Sequence, residues 1–412
     1  MQVNQTTFRS YLFFLFGQLV SLLGSSIAQF VIVWWITLET ESTLYLSLAS
    51  VLGFAPIVIL GPLTGVLADR WNRKALIGTV DLLQALTSVA LIFLFQLNVI
   101  AIWQVLALLT LKGVFQAFHT PAVLAMIPTM VPKDKLSRLN GVNYLFTSSV
   151  NLAGLVVAAV LLGFWGISQI LWIDAATFLV ALVPLLMITI PSIIKKQDKS
   201  SFRKQFGKGF AFIRKARGLL PFIMVATGVN FLLTHLTTLL PYFVKVDHFG
   251  AVSDLAFVMA FIQGGLLVGG LIMSVIKVSR KKMAIIASSM YILFLGYILV
   301  ALTPTEFFWF MATSGLILTF CIPMIDVLAM TILQTVVPVE MQGRVTSVTI
   351  SLAHAAQPIG MLLAGIITVF TGTVNLFLGC AGLGVLILTL SWFFTDVRYV
   401  EKLEENSTNK MD

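Results

Sequence analysis

Long apolar runs alternate with short polar gaps along the whole chain. Twelve runs, each of about 20 residues or more, can be drawn. They cover residues 10–37, 43–67, 75–96, 99–126, 139–163, 167–190, 220–245, 252–277, 283–303, 306–332, 345–370 and 373–395. A helix of this length crosses a bilayer, whereas a strand of a membrane barrel needs only about ten residues. The pattern therefore predicts an all-α multi-pass membrane protein with twelve spanning helices.

The composition agrees with a chain whose main solvent is lipid. Hydrophobic residues make up 58% of the 412 residues and charged residues 10%, whereas a soluble domain carries about 25% charged residues. The sequence has no G-x-x-x-x-G-K-[ST] nucleotide motif, no visible nucleophile–base pair and no spaced set of metal ligands. We therefore expect no enzyme. Cys321 and Cys380 lie inside apolar runs and are interpreted as small hydrophobic residues.

The basic residues predict the orientation of the chain. If the N-terminus is cytoplasmic, 24 of the 26 lysines and arginines lie in cytoplasmic loops or termini. Of the other two, Lys245 lies outside and Lys112 lies within a span. This asymmetry is the positive-inside rule, and it predicts that both termini are cytoplasmic. It also explains the net charge of +9 without a basic face for nucleic acid.

The longest polar interval, residues 191–219, contains nine bases and one acid, Asp198. Four apolar residues in it recur at spacings of four, four and three, which places them on one face of a helix. They are Phe202, Phe206, Phe210 and Ile213. One interpretation is an amphipathic helix on the inner leaflet, bound to anionic lipid headgroups. The other is a solvated linker that only serves the topology.

The two halves of the chain resemble each other at offsets of 204 and 206 positions. The recurring residues are Val-Leu-Ala-Met at 123–126 and 327–330, Arg138 and Arg344, and Gly61 and Gly65 with Gly265 and Gly269. This predicts two parallel copies of a six-helix bundle that rock around a central site. The predicted domains are a first bundle at 1–190, a basic linker at 191–219, a second bundle at 220–396 and a cytoplasmic tail at 397–412.

The charged gap between spans two and three, GVLADRWNRK at 65–74, carries the most specific signal. It resembles the signature G-x-L-A-D-R-x-x-R-K of the major facilitator superfamily. The stretches FHTPAVLAMIPTMVPKDKLSRLNG at 118–141 and GKGFAFIRKARGL at 207–219 are similar to the macrolide-efflux type of drug–proton antiporter in that superfamily. Span five departs from the antiporter signature, because residues 154–158 contain no proline.

The resemblance implies a monomeric secondary active transporter in the cytoplasmic membrane of a bacterium. It would export small amphipathic drugs or natural products by alternating access, with the proton gradient as energy source and no cofactor. The departure in span five leaves uniport or uptake open, and the same fold could carry a lipid, a siderophore or a metabolite. A membrane receptor or scaffold that transports nothing is a further alternative.

The resemblance also implies a conformational latch at the charged gap. Glycines there let another helix approach closely, and the Asp69 carboxylate would cap the N-terminus of span eleven when the cytoplasmic side is closed. The bases would hold that carboxylate and contact lipid phosphates. The latch residues are Gly61, Gly65, Asp69, Arg70, Arg73, Lys74 and Arg344. Topology alone would explain the bases but neither the acid nor the glycines.

Ionisable residues inside spans are costly and are therefore functional candidates. Asp326 in span ten is the first candidate for proton coupling, the alternative being an acid that only pairs with a neighbouring helix. Lys112 in span four resembles the arginine that drug antiporters often carry there. Asp81 is a weaker candidate, which we expect to pair with bases of the inner loops. Asp174 is expected near the outer end of span six, as an interfacial anchor.

Polar residues in spans one and seven are candidates for lining a transport cavity. They are Gln18, Ser21, Ser25, Asn230 and His235. An apolar wall with a few polar groups suits amphipathic cargo. For His235 the alternative is an ordinary packed histidine.

Overall fold

A computed structural model describes residues 5–132, 135–189, 202–276 and 281–400. The helices of the first half are α1 (Gln5–Thr40), α2 (Thr43–Arg70), α3 (Arg73–Gln96), α4 (Ile102–Met130), α5 (Leu136–Leu162) and α6 (Ile167–Met187). Those of the second half are α7 (Phe202–Lys215), α8 (Leu219–Tyr242), α9 (Val252–Val275), α10 (Lys282–Ala301), α11 (Phe308–Val336), α12 (Val339–Ala355), α13 (Gln357–Thr371) and α14 (Thr373–Phe394). A π-helical turn, Phe243–Asp247, extends α8, and a 3-10 turn, Asp396–Tyr399, follows α14.

Eleven segments within the described ranges are long and apolar enough to cross a membrane. One of them, Arg344–Thr371, joins α12 and α13. The helix α4 has 29 residues and is also long enough, but Lys112, Gln116 and His119 make it less apolar. With α4 the spanning segments number twelve, as the sequence predicts.

The chain divides into two compact units. The first unit comprises Met1–Gln197 with Ala251–Ala256, and the second comprises Asp198–Gly250 with Phe257–Asp412. The first unit therefore holds α1 to α6, and the second holds the remaining helices except the first residues of α9.

Small residues let the helices of the first unit approach closely. In this unit α1 packs on α5 and α6, α2 packs on α4, and α3 packs on both α4 and α6. A Cβ atom at Gly24 of α1 would collide with the Thr177 hydroxyl of α6, and one at Gly113 of α4 would collide with the carbonyl oxygen of Gly53 in α2. Side chains at these glycines would push the helices apart.

A lysine side chain joins the start of α3 to the end of α6. The ammonium of Lys74 donates hydrogen bonds to the carbonyl oxygens of Leu186 and Ile188, each at 2.7 Å. The last carbonyl groups of a helix have no partner within it, and a cation there is favourable. Lys74 therefore caps α6 as well as contributing a positive charge to the loop.

The linker helix α7 packs on α12 within the second unit. A Cβ atom at Gly209 would come within 2.9 Å of the carbonyl oxygen of Arg344 in α12. Ile213, one turn later, is fully buried, while Phe210 is exposed. The apolar face predicted to enter the lipid is therefore divided, because part of the helix surface is used to bind α12.

The eleventh span is interrupted in the middle. The helix α12 ends at Ala355 and α13 begins at Gln357. Pro358 has no N–H group to donate to the carbonyl of His354, four residues earlier. The proline therefore accounts for the interruption, which the apolar pattern alone did not reveal.

Adjacent glycines in α9 provide a matched test of helix packing in the second unit. A Cβ atom at Gly265 would collide with the Thr319 hydroxyl and lie 2.6 Å from the carbonyl oxygen of Leu316 in α11, whereas one at Gly264 would meet nothing within 4 Å. We expect Gly265→Ala to lower stability by about 1–3 kcal/mol and Gly264→Ala to have little effect. Thermal unfolding of the purified proteins in detergent, followed by tryptophan fluorescence, measures both. Equal midpoints for the two variants would contradict the packing of α9 on α11.

Candidate functional site

A single buried carboxylate joins four helices of the first unit. Asp174 of α6 is 0% exposed. Its Oδ1 accepts a hydrogen bond from the hydroxyl of Ser25 in α1 at 3.0 Å. Its Oδ2 accepts from the hydroxyl of Ser88 in α3 at 2.6 Å and from the ammonium of Lys112 in α4 at 2.7 Å. We call Ser25, Ser88, Lys112 and Asp174 the polar hub.

The polar hub satisfies a charge that would otherwise be expensive to bury. An isolated carboxylate in an apolar interior is strongly unfavourable, and an opposite charge with hydrogen bonds on both oxygens offsets that penalty. The Lys112 side chain is 19% exposed, so the cation lies at the edge of the packed interior. A proton on the Asp174 carboxylate would displace one of the donors. This arrangement therefore favours a role in holding the four helices together.

The predicted location of Asp174 at an interface, within reach of water, was wrong. Asp174 lies two turns into α6, and its side chain faces α1, α3 and α4. Lys112 lies ten residues after the start of α4, and Asp174 lies seven residues after the start of α6. One acid and one base at similar depth are expected to meet.

Asp81 forms a second buried pair in the first unit. Its Oδ1 lies 3.1 Å from the Nε2 of His119 in α4. Its Oδ2 is buried, with no hydrogen-bond partner among the residues that the structure describes. The acid was expected to pair with bases of the inner loops, whereas the partner found is a histidine inside a span.

Asp326 of α11 has different surroundings from Asp174. It is exposed, and within the described ranges it has neither a hydrogen bond nor an ion pair. His354, at the end of α12, acts on it electrostatically. The His354 Nδ1 lies 3.1 Å from Oε1 of Gln357 in α13, and the Gln357 amide nitrogen lies 3.4 Å from Oδ1 of Asn230 in α8. We call Asn230, Asp326, His354 and Gln357 the polar chain.

The polar chain coincides with the interruption of the eleventh span. His354 and Gln357 flank the break at Ala356, near the middle of the segment Arg344–Thr371. Backbone that is not helical is tolerated at membrane depth only where protein buries it or where it borders a water-filled cavity. The exposed Asp326 and His354 beside this break indicate a face adapted to water. Sequence reasoning missed Gln357, although Gln-Pro inside an apolar run was a signal for it.

The predicted cavity residues fall into different environments. Ser25 belongs to the polar hub and Asn230 to the polar chain. Ser21 is buried, and the amide nitrogen of Gln18 is buried without a hydrogen-bond partner among the described residues. His235 is 1% exposed, and its Nδ1 lies 2.9 Å from the carbonyl oxygen of Phe231, as in a packed histidine.

Part of the predicted latch lies outside what the structure describes, namely the surroundings of Gly65 and the side chains of Asp69 and Arg70. At Gly61 a Cβ atom would meet no described atom of its own unit within 4 Å, so the close approach predicted there is not seen. Lys74 binds the end of α6.

Comparison with known proteins defines the class of this protein. A family model described as Major Facilitator Superfamily matches residues 14–355 and 265–410. The chain belongs to the major facilitator superfamily, and it is a transporter rather than an enzyme.

Individual relatives span nearly the whole chain. It is 28% identical over 393 residues to macrolide efflux protein A of Streptococcus pyogenes, covering 94% of this chain and 96% of that protein. It is 22% identical over 410 residues to the staphyloferrin A transporter of Staphylococcus aureus, covering 96% and 98%. A solved structure of a bacterial homologue of the human lysosomal transporter Spinster matches with a TM-score of 0.71 at 14% identity, covering 98% and 99%. The predicted all-helical fold with twelve spans is confirmed.

The polar hub predicts a specific pattern of stability changes. Asp174→Asn leaves Lys112 without its anion, so we expect a loss of about 3 kcal/mol. Lys112→Met alone leaves the buried carboxylate without a cation and should be similarly harmful. The double variant removes both charges and should be more stable than the sum of the single effects implies. Thermal midpoints of the four proteins form a double-mutant cycle, and strictly additive losses would show that the two charges do not interact.

Proposed function

We propose that this protein exports small amphipathic, macrolide-like compounds across a bacterial cytoplasmic membrane in exchange for protons. The observation that carries this proposal is the 28% identity to macrolide efflux protein A over nearly the full length of both chains. The alignment covers 94% of this chain and 96% of that relative, so the similarity is not confined to one shared motif.

Alternating access is the mechanism that the duplicated sequence supports. Two parallel copies of a six-helix unit can rock around a central site and expose it to one side of the membrane at a time. The charged gap at 65–74 would act as the latch of the inward-closed state, with Asp69 at the N-terminus of the eleventh span. The positive-inside pattern supports cytoplasmic termini, and we expect a monomer driven by the proton gradient without a cofactor.

Asp326 is our proposed proton carrier. A carboxylate facing lipid is costly, so an exposed acid within a span is expected to border water. It can accept a proton without displacing a hydrogen-bond donor, whereas Asp174 cannot. Protonated from outside and deprotonated toward the cytoplasm, Asp326 would move one proton inward in each cycle. Lys112 and Asp81, the other candidates, each lie next to a side chain that can carry the opposite charge, Asp174 and His119 respectively, and are assigned supporting roles.

A siderophore is the second candidate cargo. The similarity to the staphyloferrin A transporter extends over nearly the full length of both chains. The polar chain also supplies amide and imidazole groups, which suit a more polar cargo than a macrolide. The same coupling mechanism would serve either compound.

Accumulation of a radiolabelled macrolide tests the proposal for cargo and energy source. In a bacterial host that lacks its own drug pumps, expression should lower steady-state accumulation several-fold. A protonophore should abolish the difference, because it removes the proton gradient. Accumulation of labelled staphyloferrin A in the same cells tests the second candidate cargo. Macrolide accumulation that expression never lowers would remove the drug-export proposal, and export that survives the protonophore would remove proton coupling.

Asp326→Asn tests the coupling residue. We expect proton-driven export to fall to the background level, because an amide cannot carry the proton. Exchange of labelled for unlabelled cargo needs no net proton movement and should persist, which separates lost coupling from lost folding. Glu306→Gln, which changes an exposed acid outside the spans of the same unit, is the matched control and should retain export. Proton-driven export at the normal rate in Asp326→Asn would assign coupling to another residue.

A further inference from the structure

A basic cavity lies where the end of the linker meets the end of the last span. Its volume is about 590 Å3, and its walls come from residues 214, 216–218, 220–221, 393–396 and 398–399 of the second unit. This is the end of α14 that the charge pattern predicts to be cytoplasmic. None of these residues belongs to the proposed transport machinery.

Three arginines line this cavity against one acid. They are Arg214, Arg217 and Arg398, and the acid is Asp396. The Nε and Nη2 atoms of Arg217 lie 3.0 and 3.1 Å from the two carboxylate oxygens of Asp396, in a bidentate pair. This hydrogen bonding raises the pKa of Arg217 above its ordinary value. Arg214 and Arg398 are exposed and leave the cavity with an excess of positive charge.

The walls of the cavity are held in place before any ligand binds. Gly218 adopts a φ of 81°, and a Cβ atom there would collide with the carbonyl oxygen of Asp396, so the two segments approach as only glycine permits. The Thr395 hydroxyl accepts a hydrogen bond from the N–H of Val397 and caps the 3-10 turn. The guanidinium of Arg398 lies 5.0 Å from the centre of the Tyr399 ring, a cation–π contact.

The rim of the cavity is apolar and faces outward. Phe393 and Phe394, the last residues of α14, line the cavity and are highly exposed, Phe394 at 81%. Aromatic residues at the end of a spanning helix lie at the level of the lipid headgroups. The cavity therefore has arginines within and a surface for acyl chains beside them.

We propose that this cavity binds the phosphate of an anionic phospholipid, with the acyl chains along Phe393 and Phe394. Arginine presents several N–H donors in a planar fork that suits phosphate oxygens. A soluble phosphate shares this chemistry, but it would gain nothing from the exposed aromatic rim. The bound lipid would join the linker to the last span, and its binding does not depend on the cargo or on proton coupling.

Native mass spectrometry of the purified full chain, in a neutral detergent, tests the proposal with dioctanoyl phosphatidylglycerol as the probe. We expect one lipid to bind more tightly than the rest. Arg214→Gln with Arg398→Gln should weaken this binding about 10- to 30-fold. Arg214→Lys with Arg398→Lys should give an intermediate affinity, because lysine keeps the positive charge but lacks the planar set of guanidinium N–H donors. Lys208→Gln with Lys215→Gln is the matched control, since both lysines are exposed on α7 outside the cavity.

The outcomes separate a built site from diffuse attraction. Unchanged affinity in the lysine control, together with loss in the arginine pair, supports the site. Equal weakening in both pairs would overturn it in favour of general surface charge. Inorganic phosphate that displaces the lipid at equal concentration would overturn the lipid assignment in favour of a soluble anion. All four residues are exposed, so thermal midpoints should remain unchanged and exclude misfolding as the cause.

Discussion

The packing of helices in the first unit depends on one buried carboxylate, that of Asp174, in which each oxygen accepts a hydrogen bond. Asp174 of α6 accepts one hydrogen bond each from a side chain of α1, α3 and α4. Removal of a single partner leaves a charge or a polar group in an interior that cannot solvate it, whereas removal of both charges would not. The positions of these four helices are therefore constrained by electrostatics as well as by the glycine contacts between them.

The two halves of the duplicated sequence have diverged at these positions. At the repeat offsets, Lys112 corresponds to Leu316 and Asp174 to Cys380, so the second half replaces the ion pair by apolar residues. Conversely, Asp326 corresponds to Ala122, which is fully buried in the first half. The first half thus places Asp174 in the packed interior, and the second places Asp326 on an exposed surface. This asymmetry agrees with the proposal that Asp326, and not Asp174, carries the proton.

Hydropathy predicted most of the fold because lipid imposes a minimum length on each apolar helix. It placed most spans within a few residues of their observed ends. The mid-span charges drew attention to Lys112, which the structure places in the polar hub, and to Asp326, whose role stays a prediction. Hydropathy does not fix the rotation of a helix, because a helix that is apolar on all sides carries little periodic signal. The inward direction of Asp174, the partner of Asp81 and the burial of Ile213 depend on contacts between distant segments, which no local pattern encodes.

The interruption at Ala356 gives the eleventh span a mechanical property that a continuous helix lacks. Bending an intact helix breaks backbone hydrogen bonds, but at this point Pro358 has already removed one. The segments α12 and α13 both pack on α8, and α7 packs along α12, so a change of angle between α12 and α13 costs fewer backbone hydrogen bonds here than in an intact helix. A displacement of α7 and α12 would move His354, at the end of α12, and so change the charge that surrounds Asp326.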